Sequence, residues 1–193
     1  FYYGNSATGN GNSKGFPGLI DAYDSTNMVV DAGGTTASTG SSVWAVKFGP
    51  TNVTWLWGNN GQVRPSDVRV ESIIDPADTA TPPTKYFDGY VQTMLFYPGL
   101  QVASVRSIGR IKKLTEDSGK GLTDALLFNL LSKFEVGIVP DVFLMNRRSL
   151  YQLRASRTAT NATGAPAPLP TDACGGIPIA LTDAILNTES LTL

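Results

Sequence analysis

Val43-Trp44-Ala45-Val46-Lys47-Phe48, then Gly49-Pro50-Thr51-Asn52, then Val53-Thr54-Trp55-Leu56-Trp57, is the stretch on which the fold class turns. Trp44, Val46 and Phe48 alternate along one side of the first run, with Lys47 on the other. Val53, Trp55 and Trp57 alternate along the second. Apolar residues at period two, rich in aromatic and β-branched types, are the mark of strands, and a Gly/Pro/Asn cluster between two such runs marks a turn. The reading is a hairpin with an aromatic side, closed by Gly58-Asn59-Asn60-Gly61.

The same reading extends outward. Residues 68–74 are a further strand candidate. Residues 75–84 hold Pro76, Pro82 and Pro83 and read as a loop. Residues 85–97 are a long strand candidate, turned by Pro98-Gly99 into another over 100–106, so that two long strands form an extended arm or an edge pair. Upstream, residues 4–15 and 31–42 are rich in Gly, Asn, Ser and Thr and are expected to be loops, the second one mobile. Between them, Phe16-Pro17-Gly18-Leu19-Ile20 is a turn into a short apolar anchor. Downstream the period changes. Leu122, Ala125, Leu126, Phe128, Leu130, Leu131 and Phe134 fall at helical spacings, which predicts a largely buried helix over 122–134, begun at Thr123 or the Gly121-Leu122 stretch and stopped before Gly137. Residues 142–145 predict a short strand. Asn146 can cap a second helix with Leu150, Tyr151 and Leu153 inward. Residues 158–172 form a long flexible loop, and residues 177–182 a final strand.

Composition favours β structure with many turns over a helical bundle. Of 193 residues, 41% are hydrophobic and only 16% are charged. The net charge of -1 argues against a strong sequence-independent grip on nucleic acid, leaving only weak non-specific contact. The charge is unevenly placed: residues 106–157 carry ten Lys/Arg against five Asp/Glu, and the rest carry five against eleven. Opposite signs in two parts of one chain suit head-to-tail contact between identical copies, and equally suit two solvated faces. No apolar run approaches the length of a membrane span.

Several chemistries are excluded by residue type. There is no histidine and one cysteine, Cys174. Ser-His-Asp and Cys-His catalysis and a Cys/His metal site therefore have no parts to be built from. Gly119-Lys120-Gly121 lacks both the upstream Gly and the following Ser/Thr of a phosphate-binding loop, and the Gly-rich run at 9–15 is not flanked by a clear strand and helix. Carboxylate pairs can act alone in hydrolysis, but Glu116-Asp117 and Asp75/Asp78 sit in turn-like contexts where solvated turn residues are the ordinary explanation. The expectation is no catalytic, metal or cofactor residue. The one local anomaly is Arg147-Arg148. If Asn146 caps a helix, two cations lie in its first turn, against the helix dipole at roughly 0.3–1 kcal/mol each. That cost points to a carboxylate partner, in a neighbouring subunit or internal, with plain solvation as the other reading, and makes Arg147 and Arg148 candidate subunit-interface residues.

Several segments together resemble one family. Phe1-Tyr2-Tyr3-Gly4-Asn5 followed by Gly15-Phe16-Pro17-Gly18-Leu19 is similar to the stretch after the long spine helix of tailed-bacteriophage major capsid proteins. Val43-Trp44-Ala45-Val46-Lys47-Phe48-Gly49 resembles the peripheral-domain strand of the podovirus type. Val142-Phe143-Leu144-Met145-Asn146-Arg147-Arg148 resembles the strand-to-helix element of the axial domain. Gly175-Gly176-Ile177-Pro178-Ile179 with Thr182-Asp183-Ala184-Ile185 resembles a later strand of that domain and its polar end.

The resemblance implies an α+β fold like that of phage Hong Kong 97. A peripheral domain with long strands and an extended loop would span 1–118, an axial domain 119–186, and a return segment 187–193. The strand block precedes the axial-like block, which implies a permuted strand order. The chain opens on an aromatic element rather than Met, so the N-terminal arm and spine helix are expected to be missing from it. The function implied is that of a non-enzymatic structural subunit, self-assembling into the pentamers and hexamers of an icosahedral phage head. Its expected partners are copies of itself, other phage head proteins and weakly held DNA, with no cofactor and no membrane. It would reside in the virion, and in the host cytoplasm during assembly. An encapsulin-type bacterial shell protein, a carboxylate-dependent β-rich hydrolase and a trimeric phage tail or receptor-binding protein are the alternatives.

Overall fold

The aromatic strand at 43–48 is central to the fold, but it is not half of a hairpin. In the computed structural model, which describes residues 18–22, 27–95, 97–157 and 173–191, it is strand β2 (Ser41–Val46), with every residue buried. Both of its backbone edges are occupied. On one side it pairs antiparallel with β9 (Ile108–Leu114), and on the other antiparallel with β10 (Val142–Met145). A strand whose two edges are filled has no donors or acceptors left for a sequence neighbour. The expected partner, β3 (Val53–Trp57), pairs instead with β8 (Pro98–Val102). The turn between them does form: Asn52 N–H donates to the Gly49 carbonyl, and Gly49, at φ +140°, donates to Val53. It redirects the chain rather than reversing it, and Phe48 and Val53 meet in a parallel bridge.

The complete sheet has six strands in the order β1-β9-β2-β10-β12-β11. Its edges are β1 (Val29–Asp31), parallel to β9, and β11 (Ala173–Cys174), antiparallel to β12 (Ile177–Leu181). β12 lies parallel to β10. The order of the strands in space is far from their order in the chain. The sheet therefore needs all of its segments at once, as expected for a fold dominated by non-local pairing.

One face of the sheet carries the apolar core. Val43, Ala45, Ile111, Phe143, Met145 and Ile177 meet Leu127 and Leu130 of α2 (Asp124–Leu131) and Leu150 and Leu153 of α3 (Arg147–Ser156). Each such side chain contributes about 1.5–3 kcal/mol by leaving water. Gly109 marks how close α2 comes: a Cβ there would lie 2.8 Å from the Leu130 side chain. The other face is polar at its centre. Trp44 and Arg110 are cross-strand partners, both essentially inaccessible, with the guanidinium 5.4 Å from the indole centroid. The Ile20 carbonyl of a short helix α1 (Leu19–Ala22) and the carboxylate of Glu189 reach Arg110 here.

The helices differ from expectation in extent and facing. α2 starts at the Thr123 cap as read, but ends at Leu131, after which the turns at 132–134 tighten the chain. It is not largely buried: Phe128 is 53% exposed, because a helix lying on a sheet buries one stripe, here Leu127 and Leu130. In α3, Leu150 and Leu153 face inward as expected. Tyr151 does not and is 72% exposed, since one residue along a helix is a turn of about 100°. Strands β1 and β9 have no counterpart in the sequence reading. The loop at 32–36, expected to be mobile, is tied by Ala32 and Gly34 N–H groups to the carbonyls of Lys112 and Lys113.

The chain divides into two units, residues 1–54 with 101–193, which hold the sheet, and residues 55–100. It leaves the first along β3 and returns along β8. The second unit is a ribbon. β5 (Arg69–Ile74) and β6 (Tyr86–Val91) pair antiparallel over six residues, and β4 (Arg64–Pro65) pairs with β7 (Met94–Leu95). An extended arm was expected, but with a turn at Pro98-Gly99. These two residues instead begin β8, where a missing N–H at the first position is harmless. The reversal lies at the proline-rich loop 75–84. The segments 1–17 and 158–172, on which the opening resemblance and the flexible-loop expectation rest, fall outside the described residues.

Candidate functional site

The first turn of α3 departs from the usual helix start, and the structure resolves how. Asn146 has β-region backbone (φ -83°, ψ 170°), and its side-chain oxygen accepts from the Ser149 N–H at 2.7 Å. The same amide donates to Ser41 Oγ and to Asn187 Oδ1. The cap is thus built into a buried polar cluster, with Asn146 only 3% exposed. Arg148 points inward. Its Nη2 donates to the Thr39 carbonyl at 2.5 Å and the Leu114 carbonyl at 3.4 Å; its Nη1 donates to the Asn187 carbonyl at 3.3 Å and lies 3.4 Å from Glu116 Oε1. The partner foreseen for this cation is internal, and it is mostly backbone. Carbonyls from three separate segments converge on one guanidinium, whose planar fork has five donors to offer. Arg147 is different: exposed, and without a hydrogen-bonding or ionic partner among the described residues. Of the two cations at this dipole-disfavoured position, one is compensated within the chain and one is presented to the outside.

The carboxylates weighed for hydrolysis are occupied with holding loops. Asp117 accepts from the hydroxyl and N–H of Thr36, the N–H of Thr35 and the hydroxyl of Thr115. Led by the Thr36 hydroxyl, these bonds hold its carboxyl well below the usual carboxylate range. A group so placed has no proton to give near neutral pH, and its lone pairs are spent. Glu116 is exposed and faces Arg148. Glu116 and Asp117 line an open depression of about 270 Å³, together with Thr115, Leu122, Tyr151, Gln152 and Ser156. Gln152 is itself committed, donating to the Thr115 carbonyl at 2.8 Å and accepting from Leu122 N–H. In the ribbon, Asp78 accepts from the N–H groups of Ala80, Thr84 and Lys85, which lower its pKa, and Asp75 accepts from Ala77 N–H. Both are loop organisers. Lys120 N–H closes a turn onto the Asp117 carbonyl, as a loop reading of Gly119-Lys120-Gly121 requires.

Cys174 is buried, and burial, with the Asp124 carboxylate beside it, pushes its thiol up to about 11. Asp124, in the first turn of α2, is held by both Nε and Nη2 of Arg157 at 2.6 Å, a bidentate staple from the end of α3. Among the described residues no group of three His, Cys, Asp or Glu could hold a metal ion.

Large apolar side chains are also left open to the outside. In the ribbon, Val70 and Tyr90 are cross-strand partners and are 61% and 84% exposed; Ile74 and Tyr86, four residues on along the same face and beyond the Ser72/Asp88 pair, are about half exposed. In the sheet unit the exposed large side chains include Phe128, Val136, Val139 and Tyr151. The three Trp and the Tyr/Phe-rich strand 86–97 read from the sequence as sheet core and subunit interface; in the structure β6 is open and is not core.

The family model described as Major capsid protein GP7 matches residues 1–192. Among solved structures, a chain in the near-atomic cryo-EM structure of bacteriophage Epsilon15 is similar, with 21% identity and a TM-score of 0.47, covering 86% of this chain and 53% of that one. This chain thus spans about half the length of that relative. No curated protein matches.

Proposed function

Because the chain belongs to the Major capsid protein GP7 family, we propose that it is a structural subunit of a phage head, working by binding copies of itself. The observation that carries this reading is the ribbon. A two-stranded antiparallel pair is at best marginal in water by itself, and here the cross-strand pairs Val70/Tyr90 and Ile74/Tyr86 stay exposed. Exposed apolar cross-strand pairs of this kind, here on either side of the Ser72/Asp88 pair, mark a place where another molecule docks. A second copy of the same chain is the partner that the family supplies. The uneven charge of the chain supports heterologous contacts, which close into rings when the rotation is right.

In this reading the subunits form pentamers and hexamers within a fold like that of Hong Kong 97. Residues 119–186 play the axial part, 1–118 the peripheral part and 187–193 the return. The shared six-stranded sheet makes that a division of role rather than of folding unit. Arg147 is the cation offered to a carboxylate of the neighbouring copy, with Arg148 fixed behind it. Packaged DNA is touched only weakly, as the net charge of -1 favours. Other head proteins are further partners, and the site of action is the virion, reached through the host cytoplasm. No helix among the described residues is long and apolar enough to cross a membrane.

The test is electron microscopy and sedimentation of the complete natural protein expressed alone. Shells or ring-shaped capsomers are expected, and Tyr90→Asp with Val70→Asp is expected to abolish them while leaving the far-UV spectrum intact. A monodisperse monomer at every concentration and ionic strength would refute the proposal.

A further inference from the structure

Residues 182–191, which follow β12, lie in no strand, yet they are fastened to the sheet at separated points. Thr182 N–H donates to the Met145 carbonyl at 3.0 Å. Asn187 accepts twice, at its side-chain oxygen from Asn146 Nδ2 and at its carbonyl from Arg148 Nη1. Glu189 N–H donates to the Gly40 carbonyl at 2.9 Å, and its carboxylate accepts from Ser42 Oγ. Polar clasps dominate this attachment: Ile185 is buried, but Leu186 is 47% exposed and Asn187 is exposed. The segment has the make-up of a strap.

Two of the clasps fall on residues 146 and 148. Between them stands Arg147, exposed and without a partner among the described residues. The two amide hydrogens of Asn146 are both assigned, one to Ser41 and one to Asn187, while its oxygen caps Ser149. Taking away the Asn187 oxygen leaves a buried N–H without an acceptor and frees the amide to turn, which loosens the cap. The Asn187 carbonyl acts on the same helical turn from the other side, through Arg148.

We infer that Asn187 is a positioning residue for self-association: through the Asn146 cap and Arg148 it fixes the first turn of α3 and so the direction in which Arg147 is presented to a neighbouring copy. This rests on the proposed function, in which Arg147 meets that copy. Residues 182–191 are then the strap through which the tail of this sheet unit controls the contact surface.

The experiment is a double-mutant cycle in the complete natural protein, read as the critical concentration for assembly by light scattering, with particles checked by electron microscopy. Asn187→Ala and Arg147→Ala are each expected to raise that concentration about fivefold, and the pair together no more than about tenfold, because they act through one contact. Asn187→Asp, which keeps the oxygen acceptor, is expected to assemble within about twofold of the unsubstituted protein. Multiplicative effects of the two substitutions, or normal assembly of Asn187→Ala, would overturn the inference while leaving the function standing. Loss of the cooperative melt in Asn187→Ala would also overturn it, since the strap would then be a folding element. No assembly by the unsubstituted protein would remove this inference and the proposed function together.

Discussion

Replacing Glu189 by Gln tests the central claim about the second face of the sheet. Glu189 Oε2 accepts from Ser42 Oγ at 2.5 Å and lies 3.7 Å from Arg110 Nη2, and both charged side chains are under 5% exposed. The amide oxygen of Gln can still accept from Ser42, so the change is chiefly the loss of the negative charge facing a buried cation. Removing one partner of a buried pair costs about 3–5 kcal/mol. Arg110 retains the Trp44 face, the Ser42 hydroxyl and the Ile20 carbonyl, so we expect a loss just below that range, about 2–3 kcal/mol. For a chain of this size each kcal/mol moves the melting temperature by about 2–4 °C, so the shift should be about 5–10 °C downward. With Trp55 and Trp57 changed to Phe, Trp44 is the only tryptophan, and its fluorescence in urea reports this face alone. The partner control is Arg110→Met with Glu189→Leu, which removes both charges and is expected to recover most of the loss. A melting shift below about 1 °C for Glu189→Gln, or a double variant less stable than the single one, would refute the reasoning.

Two further outcomes follow from the titrating groups. Asp117 has a folded-state pKa below its unfolded one, as do Asp124 and Asp141, so the stability they contribute is present above the unfolded value of about 3.9 and is lost as pH falls toward the folded one. Stability of the sheet unit should thus be flat between about pH 5 and pH 8 and fall below pH 5. Asp117→Asn should be less stable at pH 7 and show a shallower acid slope, as followed by urea titration at stepped pH; an unchanged slope would contradict the hydrogen-bond assignment. Cys174, at about 11, should react with a disulfide reagent at pH 8 about a hundredfold or more slower than in urea-unfolded chain, since thiolate is the reactive form. Fast native-state labelling would show that the thiol is not buried beside Asp124.

Legibility differed by element for identifiable reasons. β10 and the Asn146 cap of α3 were readable because their signals are local, a short apolar run and then an Asn ahead of a helical period. β9 was not, because Ile108-Gly109-Arg110-Ile111-Lys112-Lys113-Leu114 looks solvated until Arg110 is seen buried against Trp44 and Glu189. Strand pairing failed where two good strands sit side by side in sequence: β2 and β3 read as a hairpin, yet β2 had already been claimed on both edges. In the candidate site, Arg147 and Arg148 were singled out together by the dipole argument. Their separation into an exposed cation and an internal strap depends on Thr39, Leu114 and Asn187, segments far apart along the chain.

The amino-acid order alone set the local periods, the helix starts and the chemistry that cannot occur, because propensity, capping and residue inventory act over a few neighbours. It also carried the likeness to phage capsid proteins, spread over most of the chain. Which strand lies beside which, which of two adjacent arginines faces outward, and which apolar residues remain in the open were decided by the tertiary structure. Each of these depends on backbone edges, carbonyls and covering side chains brought together from distant segments, and no local pattern holds that information.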